Sequence, residues 1–147
     1  MEKPLTYDQF IDIYSKVPRV NVELIIRSEE GIILTKRSMD PCVGQWHIPG
    51  GTIYFGDTPE DAIHRIALEE LGIKVRTIRL IDIITYPSMH KNGYFGWPIG
   101  IAYELEMIGG VLRGSDQGEE VAIFSKVPKN TIDEQAKFFA KHFPKMA

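Results

Sequence analysis

The stretch Pro49-Gly-Gly-Thr-Ile-Tyr-Phe-Gly-Asp-Thr-Pro-Glu-Asp-Ala-Ile-His-Arg-Ile-Ala-Leu-Glu-Glu-Leu-Gly-Ile73 decides the reading of this chain. Its second half predicts a helix with a signal at each end. Thr58 is placed as the N-cap, Pro59 falls at the first helical position, and Glu60 and Asp61 set negative charge against the positive end of the helix dipole. The helix runs to about Leu71, and Gly72 is placed as its left-handed terminator. At about 100° per residue, positions 66, 69 and 70 share one face, so Glu69 and Glu70 flank the direction of Ile66. A solvated helix end is the plain reading of such a pair, but acidic residues in the last turn oppose the helix dipole and usually need another reason. Two carboxylates on one face can hold one hard cation bridged by phosphate oxygens.

Outward from this segment the chain alternates strand and helix signals. Toward the N-terminus, Thr6-Tyr-Asp-Gln9 has capping-box spacing, and Phe10, Ile11, Tyr14 and Val17 follow at helical intervals, which predicts a helix over Tyr7–Lys16. Val20–Ile26 and Ile32–Lys36 read as a hairpin around Ser28-Glu-Glu-Gly31, followed by a loop and a short extended piece, His47-Ile48, stopped by Pro49-Gly50-Gly51. Toward the C-terminus, Val75–Leu80, Ile81–Tyr86 and Ile99–Met107 read as strands, with a long Gly- and aromatic-rich loop over Pro87–Pro98. A short strand, Ala122–Phe124, and an amphipathic helix, Ile132–His142, close the chain. His64 and His142 read as helix-surface residues. Segregated α+β, a mixed sheet sandwiched between helices, is expected over strict βαβ alternation.

Composition narrows the function classes. The 147 residues suit one domain, expected to span 1–147, and 44% apolar content is enough to build a core. A single cysteine, Cys42, excludes a disulfide framework and a cysteine-based zinc site, and it suits a reducing, cytoplasmic setting. The net charge of −3 gives no electrostatic footprint for nucleic acid or an anionic membrane. No apolar run approaches the roughly 20 residues of a membrane span. The amphipathic helix at residues 7–16 can pack on a second subunit, making a homodimer, as readily as on its own sheet.

Residues 51–73 resemble the Nudix box, the signature of hydrolases acting on nucleoside diphosphates linked to another group. From Gly51, five residues lead to Asp57 and seven more to Arg65, after which Glu69, Glu70, Gly72 and Ile73 fall in register. Asp57 stands where the pattern has Glu, and Ile66 replaces the Glu that follows the Arg. The loss of that Glu is similar to the GDP-mannose mannosyl hydrolase group, as are the basic strand end Leu34-Thr-Lys-Arg37-Ser and the approach Gly44-Gln-Trp46-His-Ile-Pro-Gly-Gly51. That resemblance implies a Mg²⁺ ion, with Mn²⁺ as the alternative, held by Glu70, Gln117 and the Gly50 carbonyl, with Glu69 beside them. It implies Arg37 and Arg65 on the diphosphate, where guanidinium forks suit phosphate oxygens. Glu23 corresponds to an acidic residue near the leaving nucleotide.

In that group a histidine acts as base where this chain has Gly118. His90, in the long loop, is a candidate substitute, against the plainer reading of an exposed loop histidine; Glu119 and Glu120 are others. Tyr94, Phe95 and Trp97 can form a base-stacking lid or simply pack. The leading expectation is therefore attack at the sugar carbon of a nucleoside diphosphate sugar. The alternatives are attack at phosphorus by a Nudix pyrophosphohydrolase, and a nucleotide-binding module without turnover.

Overall fold

The computed structural model describes residues 3–39, 42–115 and 119–147. Among them the order is α1 (Tyr7–Tyr14), β1 (Arg19–Ser28), β2 (Gly31–Lys36), β3 (Trp46–His47), β4 (Gly50–Thr52), α2 (Pro59–Leu71), β5 (Ile73–Thr85), α3 (Pro87–Lys91), β6 (Pro98–Gly110), β7 (Val121–Phe124) and α4 (Asp133–His142). The described strands form one mixed sheet with the path β3-β2-β1-β6-β5, to which β4 adds on β1 and β7 on β2. β1 is the hub: it runs parallel to β6 and antiparallel to both β2 and β4. The α+β expectation holds.

β1 is buried on both faces, and its alternation assigns each residue to a layer. Val22, Leu24 and Ile26 point into the core beneath α2, with Ile63, Ile66 and Leu71. Ile25 points the other way, into the core beneath α4, with Phe138, Phe139 and Phe143. Glu23 has the parity of Ile25 and so lies on the α4 side, an acidic residue in the interior layer.

The ends of α2 follow the sequence signals. Thr58 Oγ1 accepts from Asp61 N, Asp61 Oδ2 accepts from Thr58 N, and Gly72 closes the helix at φ 70°. The hydrogen bonds from Thr58, the backbone one foremost, hold the exposed Asp61 carboxyl below its ordinary pKa.

Five expectations are corrected. β5 is one strand, not two: no Gly, Pro or Asn interrupts residues 75–86, and register shifts at Lys74/Val75, Thr77/Arg79 and Leu80/Asp82 absorb the irregularity. Part of the loop at 87–98 is helical, because Pro87 starts α3 and Glu134 accepts hydrogen bonds from Ser88 N at 2.8 Å and Ser88 Oγ at 2.6 Å. Gly50 and Gly51 do not stop the chain after His47 but form β4; a Cβ at Gly50 would overlap the Val22 carbonyl oxygen, so only glycine permits this pairing. His142 is no free surface residue, since its Nε2 lies 2.8 Å from Asp82 on β5. The helix at the N-terminus is shorter than expected, ending at Tyr14 with Ser15 as its C-cap.

Candidate active site

α2 is fixed against β4 by a small residue and a buried arginine. A Cβ at Gly51 would come within 3.0 Å of Ile66 Cδ1, so the glycine lets the strand lie against the helix. Arg65, with a side chain only 9% exposed, donates to the Thr52 carbonyl at 2.9 Å and lies 3.4 Å from Asp57 Oδ2. Its guanidinium also stacks 3.8 Å from the centroid of the Tyr54 ring. Arg65 therefore closes the loop between β4 and α2, and Asp57 is long enough to serve as its partner.

Ile66 is 3% exposed and faces the core, whereas Glu69 and Glu70 are exposed in the last turn of α2. Among the described residues no three His, Cys, Asp or Glu side chains converge as a ready-made metal cage. The donor set nonetheless fits a hard divalent ion. Mg²⁺ is commonly held by one or two carboxylates, with substrate phosphate oxygens and water completing its shell. Gln117 and Gly118 lie outside the described residues.

A second feature lies on the α4 side of the sheet, a cleft of about 160 Å³ lined by residues that include Arg19, Glu23, Arg37, His47, Gly50 and Tyr94. At its floor Glu23, 6% exposed, accepts from the Tyr86 hydroxyl at 2.7 Å and from Gln135 Nε2 at 3.3 Å. Gln135 also donates to the Tyr86 oxygen at 2.9 Å and accepts from Ile48 N at 2.7 Å. Burial pushes the Glu23 pKa up to about 7, against the opposing pull of the Tyr86 hydrogen bond and the Arg19 charge. Tyr86 is pushed well above its ordinary value, by burial first and by Glu23 next. Arg19 donates to Asn21 Oδ1 at 2.9 Å, Thr52 Oγ1 at 3.1 Å and Tyr94 Oη at 2.9 Å, forming one wall.

Arg37 brings its side chain to the cleft from a loop whose backbone is held by Gln45 and Gly44. His47 Nδ1 donates to the Ile48 carbonyl at 2.9 Å, so in the neutral ring Nε2 accepts from Thr35 Oγ1, also at 2.9 Å. Glu119 lies 3.9 Å from the same Nε2 and is held below its ordinary pKa by His47 foremost and by Arg37 as well.

The cleft thus brings together Glu23, Arg37 and Gly50 of the expected residues. His90 and Trp97 lie outside its lining: His90 is exposed on α3, its ring edge-on to Trp97 at 5.3 Å. Tyr94 does reach the cleft, through its hydroxyl. Sequence reasoning missed Arg19, Tyr86 and Gln135. Gln135 carried a readable signal: it sits on the apolar stripe of α4, three residues from both Ile132 and Phe138, where a polar side chain needs a buried partner.

The chain matches the NUDIX domain family model over residues 17–138. This chain belongs to the Nudix family. Members of the family typically depend on a divalent metal and bind small nucleotide substrates. The chain is a Nudix hydrolase of α+β architecture. It is 32% identical over 120 residues to the ADP-ribose pyrophosphatase of Methanocaldococcus jannaschii, a match covering 80% of this chain and 69% of that protein. It is 43% identical over 77 residues to the low-salt glycan biosynthesis protein Agl8 of Haloferax volcanii, covering 50% of this chain but only 49% of that protein. The fold is also that of the MutT NUDIX hydrolase of Burkholderia pseudomallei, with a TM-score of 0.73 at 22% identity over 87% of this chain and 99% of that one. No helix of the described residues is long and apolar enough to cross a membrane.

Proposed function

We propose that this Nudix hydrolase is a metal-dependent pyrophosphohydrolase that cleaves a nucleoside diphosphate derivative of the ADP-ribose class by attack at phosphorus. The observation that carries the reading is the pair Glu69 and Glu70, exposed in the last turn of a helix that packs through Ile66 on Gly51 of β4. The similarity to an ADP-ribose pyrophosphatase, over more than two thirds of that protein, supports the substrate class.

Glu70, Glu69 and the Gly50 carbonyl would hold a Mg²⁺ or Mn²⁺ ion, with Gln117 as a further ligand. The ion supplies Lewis-acid charge to the phosphoryl oxygens. Arg37, in the cleft, binds the non-reacting phosphate, where its fork holds two oxygens at once. A water oxygen bonds to phosphorus and gives its proton to a carboxylate, the role we assign to Glu69. The bond from that phosphorus to the bridging oxygen breaks, and the second phosphate leaves with the electron pair. Arg65 acts as a positioning residue, keeping the loop before α2 closed through Thr52 and Asp57.

The test is a product analysis with ADP-ribose and Mg²⁺ or Mn²⁺. AMP and ribose 5-phosphate, formed only with metal, are expected; no turnover of any nucleoside diphosphate derivative would overturn the reading. One observation favours a second reading: Ile66 removes a carboxylate from the metal face, as in the GDP-mannose mannosyl hydrolase group. Under that reading GDP-mannose would yield GDP and free mannose.

A further inference from the structure

α2 carries Glu69 and Glu70 in its last turn and no basic residue there. The negative end of its dipole and two carboxylates therefore meet at one place. The last four carbonyls of a helix have no partner within it. In α2, Leu68 O accepts from Gly72 N at 3.0 Å. Two of the other three accept from one residue outside the helix, Arg113, in the segment after β6. Its guanidinium donates to Glu69 O at 3.2 Å and its main chain donates to Leu71 O at 3.0 Å. The other arm of the guanidinium donates to Gly114 O at 3.0 Å.

Gly72 makes room for this clamp. A Cβ there would come within 3.0 Å of Arg113 Cγ and 3.1 Å of its Nε, so the residue that ends α2 also lets the arginine stem lie across the helix terminus. The segment that carries Arg113 is held by contacts other than its side chain. Val111 N donates to Gly72 O at 3.3 Å, and Leu112 packs on the core beneath α2. Gly114 lies so close to the Glu119 carbonyl that a Cβ would overlap it. Glu119 in turn lies 3.9 Å from His47, which lines the cleft. The segment therefore connects the carboxylate end of α2 with the cleft wall.

We propose that Arg113 is a positioning residue of the metal site: by clamping the main chain at Glu69, it holds the Glu69 and Glu70 carboxylates in the arrangement that takes a divalent ion. The proposal rests on the reading of these carboxylates as metal ligands. A group that orients a ligand without touching the ion is typically worth about 10- to 100-fold in metal affinity. The positive charge of Arg113 acts with the opposite sign, since like charges repel and a cation beside the site disfavours a second one. Position and charge are therefore separable by substitution. Arg113→Lys keeps the charge but not the planar fork, and Arg113→Met keeps only the stem.

The first measurement is Mn²⁺ binding without nucleotide, followed by electron paramagnetic resonance. The Kd should rise about tenfold in both variants. Tighter binding in Arg113→Met with wild-type binding in Arg113→Lys would make charge the whole effect and overturn the proposal, as would unchanged affinity in both. No Mn²⁺ binding by the wild type would instead refute the metal-ligand reading of Glu69 and Glu70. The second measurement is amide hydrogen exchange. Exchange at Gly72, whose N–H closes the helix, should quicken about tenfold in both variants, while Leu24 in β1 stays within about twofold. Equal acceleration at both amides would make Arg113 a framework residue and overturn its positioning role. Neither measurement needs turnover, so both decide the role of Arg113 even if ADP-ribose is not hydrolysed. Where it is hydrolysed, excess Mg²⁺ should restore kcat to within about twofold with KM for ADP-ribose unchanged. A KM still raised at saturating Mg²⁺ would place Arg113 on the substrate and contradict the proposal.

Discussion

The loop and helix around α2 and the floor of the cleft beneath α4 are both built from charged and polar groups, on opposite layers of one sheet. They differ in how far apart in sequence their partners lie. Arg65 meets Thr52 and Asp57 across 13 and 8 residues. Glu23 meets Tyr86 across 63 residues and Gln135 across 112, and Gln135 meets Ile48 across 87. The first region is nearly a local structure, and its carboxylates at the helix end, Glu69 and Glu70, are exposed. The second exists only when β1, β5, α3 and α4 have all come together, and its carboxyl is buried. A motif read along the chain can reveal the first kind of site and not the second.

The largest effect expected from this contrast is on catalysis at the exposed end. Glu70→Gln should lower metal-dependent turnover by about 10³-fold, while thermal stability shifts by less than about 0.5 kcal/mol, as for an exposed substitution. Wild-type turnover in this variant would place the chemistry elsewhere, and a large loss of stability would make Glu70 part of the framework.

At the buried end the expected effect is on stability and on its pH dependence. The Glu23 pKa is raised from 4.5 to about 7, so between these values the folded chain binds a proton that the unfolded chain has released. That contribution is fully present below about pH 4.5 and is lost as pH rises through about 7, by at most about 3 kcal/mol. Denaturant unfolding of wild type and Glu23→Gln across pH 4–8 checks it. The difference between the two should move against wild type as pH rises; a pH-independent difference would mean that Glu23 is not held in this environment.

Arg65→Met sharpens the comparison from the local side. It keeps the apolar stem but removes the hydrogen bond to Thr52 and the charge beside Asp57. A loss of about 1.5–3 kcal/mol in unfolding free energy is expected, the range for hydrogen bonds made by a charged group. A variant as stable as wild type but unable to bind nucleotide would instead assign Arg65 to the phosphate. The smallest effect belongs to His90, which lies outside the cleft lining: His90→Ala should leave the rate within about twofold. A loss of about 10²-fold with an altered pH–rate profile would show that α3 brings this residue to the substrate.

The same contrast explains what could be read from the residues in order. The caps of α2, the left-handed Gly72 and the exposed Glu69 and Glu70 follow from spacing within a segment of about four helical turns. β5 looked like two strands because bulges disturb the alternation that marks one strand, and no composition signal separates a bulge from a break. Gly50 and Gly51 looked like a stop because two glycines usually end a strand; here the Val22 carbonyl and Ile66 approach so closely that nothing larger fits. The family resemblance singles out Glu23 but not its partners. Tyr86 stands at the edge of a strand signal and Gln135 inside an amphipathic helix, so neither announces a contact made across 63 or 112 residues.

The central claim is that the exposed carboxylates of α2 serve attack at phosphorus. Hydrolysis of ADP-ribose, ADP-glucose and GDP-mannose in ¹⁸O-labelled water, with Mg²⁺ present and products separated by mass, tests it most directly. The account predicts nucleoside monophosphate among the products and the label on a phosphate oxygen. Release of a nucleoside diphosphate, with the label carried by the free sugar, would contradict it.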